Sequence, residues 1–209
     1  MTTLGQNLNR DNMDLTVRQI PSKDAYPFIM DIHYAKRKPS ISYAYGLFED
    51  DNLIGICTYG QPASPMLCQG ILGKENKHMV IELNRLCLLY NRKNEASFLV
   101  GRSLKLLPRP KVIVSYSDSA QNHVGTVYQA CNFIFTGTTK PRTDMAAEDG
   151  KHSRHHKGDP ANRVNRSAKH RYIYFVGSKS DIRYMLSNLK YPTLTQYPKN
   201  YKDDSNANL

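Results

Sequence analysis

Residues 15–20 (LTVRQI) are expected to form a first strand, and residues 24–34 a short helix, because Ala25, Phe28, Ile29 and Ile32 recur near helical spacing. That helix ends before the basic cluster Lys36, Arg37, Lys38 and Pro39. Two β-prone runs, 41–49 and 52–61, flank Asp50 and Asp51 and predict a hairpin with a tight acidic turn, closed by Pro62 and Pro65. Residues 78–90 contain VIELNRLCLLY, a largely apolar run broken by Glu82, Asn84 and Arg85; it predicts a central strand whose polar side chains share one face. After a polar turn at 91–94, residues 95–107 carry an amphipathic stripe through Phe98, Leu99, Leu106 and Leu107, and Pro108 and Pro110 stop that helix. A valine-rich strand at 111–116, a helix at 122–131 and a strand at 133–138 follow, with a last strand at 172–176 and a last helix at 179–189. The order predicts an α/β fold, a mixed central sheet flanked by helices.

Between the last two strands the pattern disappears. Residues 139–171 hold nine Lys and Arg, four acidic residues and four His, with almost no large apolar side chain, so they are expected to be a basic loop insertion that builds no core. Residues 1–14 and 196–209 are expected to be flexible ends around a single domain at 15–195. The whole chain carries a net charge of +11, which draws it to polyanions, nucleic acid first. Cys57, Cys68, Cys87 and Cys131 form no C-x-x-C pair and lie in or beside apolar segments, so they are expected as buried free thiols. No apolar run approaches the roughly eighteen residues a membrane helix needs, and the reading is a protein of the bacterial cytoplasm with no membrane partner.

Three segments carry more polar side chains than packing requires: 33–40, 82–85 and 115–128. In the last, a strand runs into Asp118, a polar loop and a helix, so Ser115, Asp118 and His123 would gather at the carboxyl edge of the sheet, where open α/β sheets bind ligands. Asp118 reads equally as a catalyst or as the cap of the next helix. His33, Asp118 and His123 would furnish two imidazoles and a carboxylate, the mixture of open iron sites. His152, His155, His156 and His170 sit among cations and read as part of a phosphate-facing loop. No Walker A, G-x-G-x-x-G or G-x-S-x-G motif occurs.

HYAKRKPS at 33–40, ELNRL at 82–86, the stretch from Asn94 to Lys105 and SYSDSAQNHVGTVYQACNFIFTG at 115–137 resemble the Mom family of phage DNA-modification proteins, over roughly residues 15–195. The element order resembles the GNAT acyltransferase fold. The resemblance implies conversion of adenine in double-stranded DNA, flipped out of the stack, to N6-carbamoylmethyl (acetamido) adenine, protecting the phage genome from host restriction. It also departs from the acyltransferase pattern, whose Q/R-x-x-G-x-G/A turn cradles the pyrophosphate of coenzyme A. The corresponding turn here is NRKNEAS, with no glycine before Gly101, which speaks against acetyl-CoA and leaves the donor, small or carrier-bound, unassigned.

The N6 amine is a poor nucleophile because its lone pair is delocalised into the ring, so a proton acceptor is required. Asp118 is the expected base, His33 and Tyr34 are expected to orient the adenine or donor, and Ser115 and Tyr128 to supply hydrogen bonds. Glu82, Asn84, Arg85, His123, Asn94 and Ser97 are expected to bind substrate or donor, although Asn84 and Arg85 would equally brace each other and the neighbouring turn. Lys36, Arg37, Lys38, Lys140, Arg142, Arg154, Lys157, Arg163, Arg166 and Lys169 would follow the DNA backbone, with Tyr43 and Tyr45 either stacking surfaces or strand packing. Two other readings stand beside this one: a coenzyme A-dependent N-acetyltransferase acting on a protein or RNA amine, and a non-catalytic DNA-binding protein.

Overall fold

The computed structural model describes residues 14–145 and 163–199. The chain begins with β1 (Leu15–Gln19) and α1 (Ser22–Pro27), which runs on as a π-helical turn, Phe28–Ile32, closed by the His33 N–H donating to Phe28 O at 3.0 Å. The hairpin follows as β2 (Tyr43–Glu49) and β3 (Asn52–Gly60), turning at Asp50 with φ +54°. Then come α2 (Pro65–Leu72), β4 (Val80–Leu88), α3 (Glu95–Leu106) and β5 (Lys111–Asp118). The second half holds α4 (Thr126–Ala130), β6 (Ile134–Thr138), β7 (Arg142–Met145), β8 (Arg163–Arg166), β9 (Lys169–Val176) and α5 (Lys179–Asn188).

Three expectations are corrected. Pro65 does not merely end the hairpin: Ser64 accepts the Leu67 N–H and Pro65 opens α2, the Ser-Pro start of a helix whose Cys68, Ile71 and Leu72 are buried. The helix expected over 122–131 begins only at Thr126, because Asn122 (φ +52°) and Gly125 (φ +79°) take left-handed conformations that no helix interior accepts. Gly125 is required there for a second reason, since a Cβ would lie 2.4 Å from the Tyr172 ring. The basic segment is not a bare loop in its described parts: β7 and β8 pair as an antiparallel hairpin, and β9 starts at Lys169 rather than at 172.

Seven strands form one sheet in the order β1-β2-β3-β4-β5-β9-β6, with the basic β7–β8 hairpin inserted between β6 and β9. Every pairing is antiparallel except β4–β5, whose parallel crossover is made by α3. One face of the sheet packs α3 and α4 through Leu99, Val100, Leu104 and Phe133. The other packs α2 and α5 through Ile71, Leu72 and Met185, and α1 through Ala25 and Ile29. Each of the larger side chains among these contributes about 1.5–3 kcal/mol by leaving water.

Two irregularities position the site. The β4–β5 ladder covers only Val80 to Glu82 against Val112 to Val114; beyond it β4 stays with β3 and β5 with β9, so a wedge opens in the sheet. Within β4, Thr58 faces Arg85 while Tyr59 faces Leu83, so Asn84 is an extra residue, a β-bulge. The bulge resets the alternation. Ile81, Leu83, Leu86 and Leu88 all reach the α3 face, leaving Glu82, Asn84 and Arg85 to the other.

Candidate active site

Glu82 is the last residue of β4 paired with β5, and Ser115 is the first residue of β5 past that ladder, its hydroxyl donating to Leu83 O at 3.0 Å across the start of the wedge. Tyr128 of α4 stands beside Ser115. Burial pushes the Tyr128 phenol up to about 12, against the Ser115 hydroxyl, with Tyr34 and Glu82 adding to the rise. Burial also raises the Glu82 carboxyl, to about 7, although Arg85, Lys169 and Arg37 pull it down. No side chain or backbone group among the described residues donates a hydrogen bond to it.

The mouth of the wedge is aromatic. The His33 ring stacks on Tyr34 with centroids 4.5 Å apart and planes 25° apart, and His123 meets Tyr34 edge-on at 6.4 Å. His33 Nδ1 accepts the Ala35 N–H at 3.0 Å, so in the neutral ring the proton sits on Nε2. Burial, then the nearby Arg85 and Lys169, lower the His33 pKa to about 4 and keep the ring neutral at pH 7. Tyr34 is 52% exposed, leaving ring surface open to a planar ligand. The loop that carries these rings lies against β3 at Gly60, where a Cβ would lie 1.8 Å from Ser40 O.

Asp118 ends β5 and is held by donors. Its Oδ1 accepts from the Ala120 N–H at 3.0 Å and from the Ser167 hydroxyl, and Lys169 Nζ lies 3.4 Å from Oδ2. Burial opposes ionisation here, but Ser167, Lys169 and Ala120 outweigh it and hold the carboxyl below its ordinary value. Asp118 thus fills the capping role, holding the following 3₁₀ turn, and its charge acts on Tyr34 at the cleft. His123, exposed at the mouth, is tied back by its N–H to Asp118 O at 3.2 Å.

Asn84 and Arg85 act as braces. The Asn84 Oδ1 accepts from Thr58 Oγ1 at 2.6 Å and its Nδ2 donates to Ser40 O at 2.8 Å, which leaves no free bidentate edge for adenine. Arg85 donates to Asn84 O and to Arg37 O, both at 2.6 Å, pinning the 33–40 loop, while its Nε is buried without a partner. Tyr45 is 1% exposed and packs edge-on against Tyr59, and Tyr43 packs on the same core, so both are strand packing and neither is a stacking surface.

The basic rim has a partly defined frame. Lys36, Lys38, Lys140, Arg142 and Arg163 are exposed, Lys38 lying over the Tyr26 ring at 4.4 Å. Arg37 is placed between the β7–β8 hairpin and the cleft, sensing Arg166, Asp144, Glu82 and Tyr34; Arg166 lies 3.8 Å from Asp144. Arg154, Lys157, His152, His155 and His156 lie outside the described residues, whereas His170 is on β9 with Nδ1 2.8 Å from Thr138 Oγ1.

Among the described residues no three His, Cys, Asp or Glu side chains are grouped to hold a metal, so His33, Asp118 and His123 make no such set, and the charges of Arg85 and Lys169 act on His33. Cys57, Cys68, Cys87 and Cys131 are free thiols, the last only partly buried. At the head of α3, where a coenzyme A pyrophosphate would be cradled, the Glu95 carboxylate is buried and bonded to Arg92, so the turn does not fit that group. Asn94 and Ser97 belong to this turn, Ser97 Oγ donating to Asn94 O at 3.1 Å and Ser97 O accepting from Cys131 Sγ. Their bonds do not run to the cleft.

The sequence reading missed three participants, Ser167, Lys169 as the ion partner of Asp118, and the Glu49–Arg92–Glu95 cluster. Only the last left a signal, the acid-for-glycine exchange in NRKNEAS.

Comparison with known proteins gives three findings. The model of the Mom protein family matches residues 14–199. The "Methylcarbamoylase mom" of Escherichia phage Mu is 28% identical over 140 residues, 64% of this chain; the match spans 58% of that protein's length. Among solved structures, a spermidine N-acetyltransferase chimera from Vibrio cholerae and human sequences covers 82% of this chain and 98% of its own, at 13% identity and TM-score 0.49. An N-acetyltransferase from Staphylococcus aureus Mu50 covers 78% and 99%, at 14% identity and TM-score 0.47.

Proposed function

The chain belongs to the Mom protein family, and from that premise we propose that it is a DNA-modifying transferase, converting adenine to N6-carbamoylmethyladenine in double-stranded DNA. In this reading it works inside a bacterial host and shields phage DNA from restriction. The observation that carries the reading is the wedge between β4 and β5, around which Glu82, Ser115, Tyr128, Arg85 and the His33–Tyr34 step gather from the three segments 33–40, 82–85 and 115–128. The β7–β8 hairpin and the 33–40 loop give that wedge a basic rim.

The chemistry divides among these groups by their environments. An adenine turned out of the duplex stacks on Tyr34, whose back is supported by His33. Arg37, Lys36 and the hairpin cations hold the flanking phosphates. As N6 bonds to the methylene carbon of the carbamoylmethyl group, that carbon's bond to the rest of the donor breaks, the remainder leaving with the bonding electron pair, and N6 gives up a proton that Glu82 receives: a carboxyl near neutrality and without hydrogen-bond donors among the described residues is a better acceptor at pH 7 than the donor-saturated Asp118. Asp118 instead fixes Lys169 and the Ser167 turn at the mouth. Ser115 and Tyr128 supply hydrogen bonds from the floor.

The test is expression of the full chain in a plasmid-bearing bacterial host, followed by mass spectrometry of the digested nucleosides. Carbamoylmethylated adenosine is the expected product. A folded, soluble chain that leaves all adenine unmodified while binding DNA in a salt-sensitive way would replace this reading by that of a DNA-binding protein.

A further inference from the structure

A helix that starts directly after a strand offers free backbone N–H groups and a positive dipole end to a diphosphate, provided the turn before it carries no side chain or charge of its own. In this chain the turn before α3 carries both. Glu95, the first residue of α3, is 3% exposed. Its Oε2 accepts the Arg92 N–H at 2.7 Å and its Oε1 the Arg92 Nε, while the far side of the same guanidinium meets Glu49 Oε1 at 2.9 Å. The Tyr90 ring lies 4.9 Å from that guanidinium. Two more amides of the turn are engaged internally, Glu95 N with Arg92 O and Phe98 N with Asn94 O. Counted from Arg92, the pattern Q/R-x-x-G-x-G/A places Glu95 where the first glycine would be and Ser97 at the second position.

We infer that the head of α3 is an anion site closed from within by Glu95, so that the group transferred to adenine does not arrive on coenzyme A or another diphosphate-bearing carrier held at this turn. The carboxylate takes the Arg92 N–H and guanidinium that a phosphate at this turn would use, and a second anion beside it would be repelled. Arg92, the cation nearest to hand for neutralising a diphosphate at this turn, is already shared between two carboxylates. The donor is then held without a diphosphate at this turn and enters the wedge, where Arg85, Lys169 and Arg37 act on Glu82 among the described residues.

The inference rests on the proposed transfer only in presuming a donor; its binding test stands apart from it. The full chain is titrated calorimetrically with acetyl-CoA and with coenzyme A at millimolar concentration. No saturable heat and no change in melting temperature are expected. Saturable binding of either compound in the micromolar range would overturn the closed turn. Replacing Glu95→Gly, with folding checked by circular dichroism, is expected to create coenzyme A binding at least tenfold stronger than that of the unaltered chain. A folded variant that gains none would count against Glu95 as the seal. If the host's DNA stays unmodified and coenzyme A still does not bind, the DNA reading fails and the closed turn survives.

Discussion

Asp118 and Lys169 are register partners at the end of the β5–β9 ladder, and their side chains meet as an ion pair at 3.4 Å. The pairing turns the carboxylate that the sequence nominates as a base into one held ionised by its neighbours. Replacing Asp118→Asn is therefore expected to lower the yield of modified adenine by about tenfold or less, whereas Glu82→Gln is expected to lower it by about a hundredfold or more. Nucleoside mass spectrometry of matched cultures measures both, and the reverse order of effects would return the base to Asp118.

The Glu82 carboxyl also fixes a pH profile. With a pKa of about 7 it is protonated in acid and free to accept a proton in base, so the transfer rate rises with pH through neutrality. Between the ordinary value of 4.5 and about 7 the folded chain binds more protons than the unfolded one, so this residue's contribution to stability falls as pH rises. Glu82→Gln is accordingly expected to unfold at a higher temperature than the unaltered chain at pH 8, by a stability gain on the order of 1–3 kcal/mol, while losing activity. Thermal melts at pH 5 and pH 8 would show it, and an equal effect at both values would contradict the assignment.

For the histidine at the mouth the sign is opposite. The His33 pKa is lowered to about 4, so its contribution to stability is complete above the ordinary value of 6.5 and is lost as pH falls through 4. A nuclear magnetic resonance titration is expected to find this ring neutral at pH 6, with its proton on Nε2, and titrating well below the ordinary value of 6.5. A midpoint above 6 would remove it from the desolvated step under Tyr34.

Stacking predicts a split between two replacements of Tyr34. Tyr34→Phe keeps the ring and is expected to retain most of the activity, whereas Tyr34→Ala is expected to weaken productive binding by roughly ten- to a hundredfold, the magnitude of one base–aromatic stack. Equal activity of the two variants would mean that the ring does not carry the base.

The brace predicts loss of stability rather than loss of substrate contact. Asn84→Ala leaves Thr58 Oγ1 and Ser40 O without their partners and frees the loop over β3, so it is expected to destabilise the chain by about 1–3 kcal/mol. Denaturant unfolding measures this. An unchanged midpoint together with weakened binding of substrate would restore Asn84 to a recognition role.

Much of this protein is written in its linear pattern, because hydrophobic periodicity and turn residues act over short stretches of chain. The hairpin around Asp50 and Asp51, the strand through Ile81 and Leu83, the amphipathic α3 and the valine-rich β5 all follow from it, as does the crowding of polar residues at 33–40, 82–85 and 115–128. What local pattern could not contain is the partner of each group. The bulge at Asn84 depends on how β3 pairs with β4, and it sends Glu82 and Arg85 to one face. The difference between a free carboxyl at Glu82 and a saturated one at Asp118 comes from Ser167 and Lys169, 49 and 51 positions away in the chain. Acidity is set by burial and by neighbours, and those exist only once distant segments have packed together.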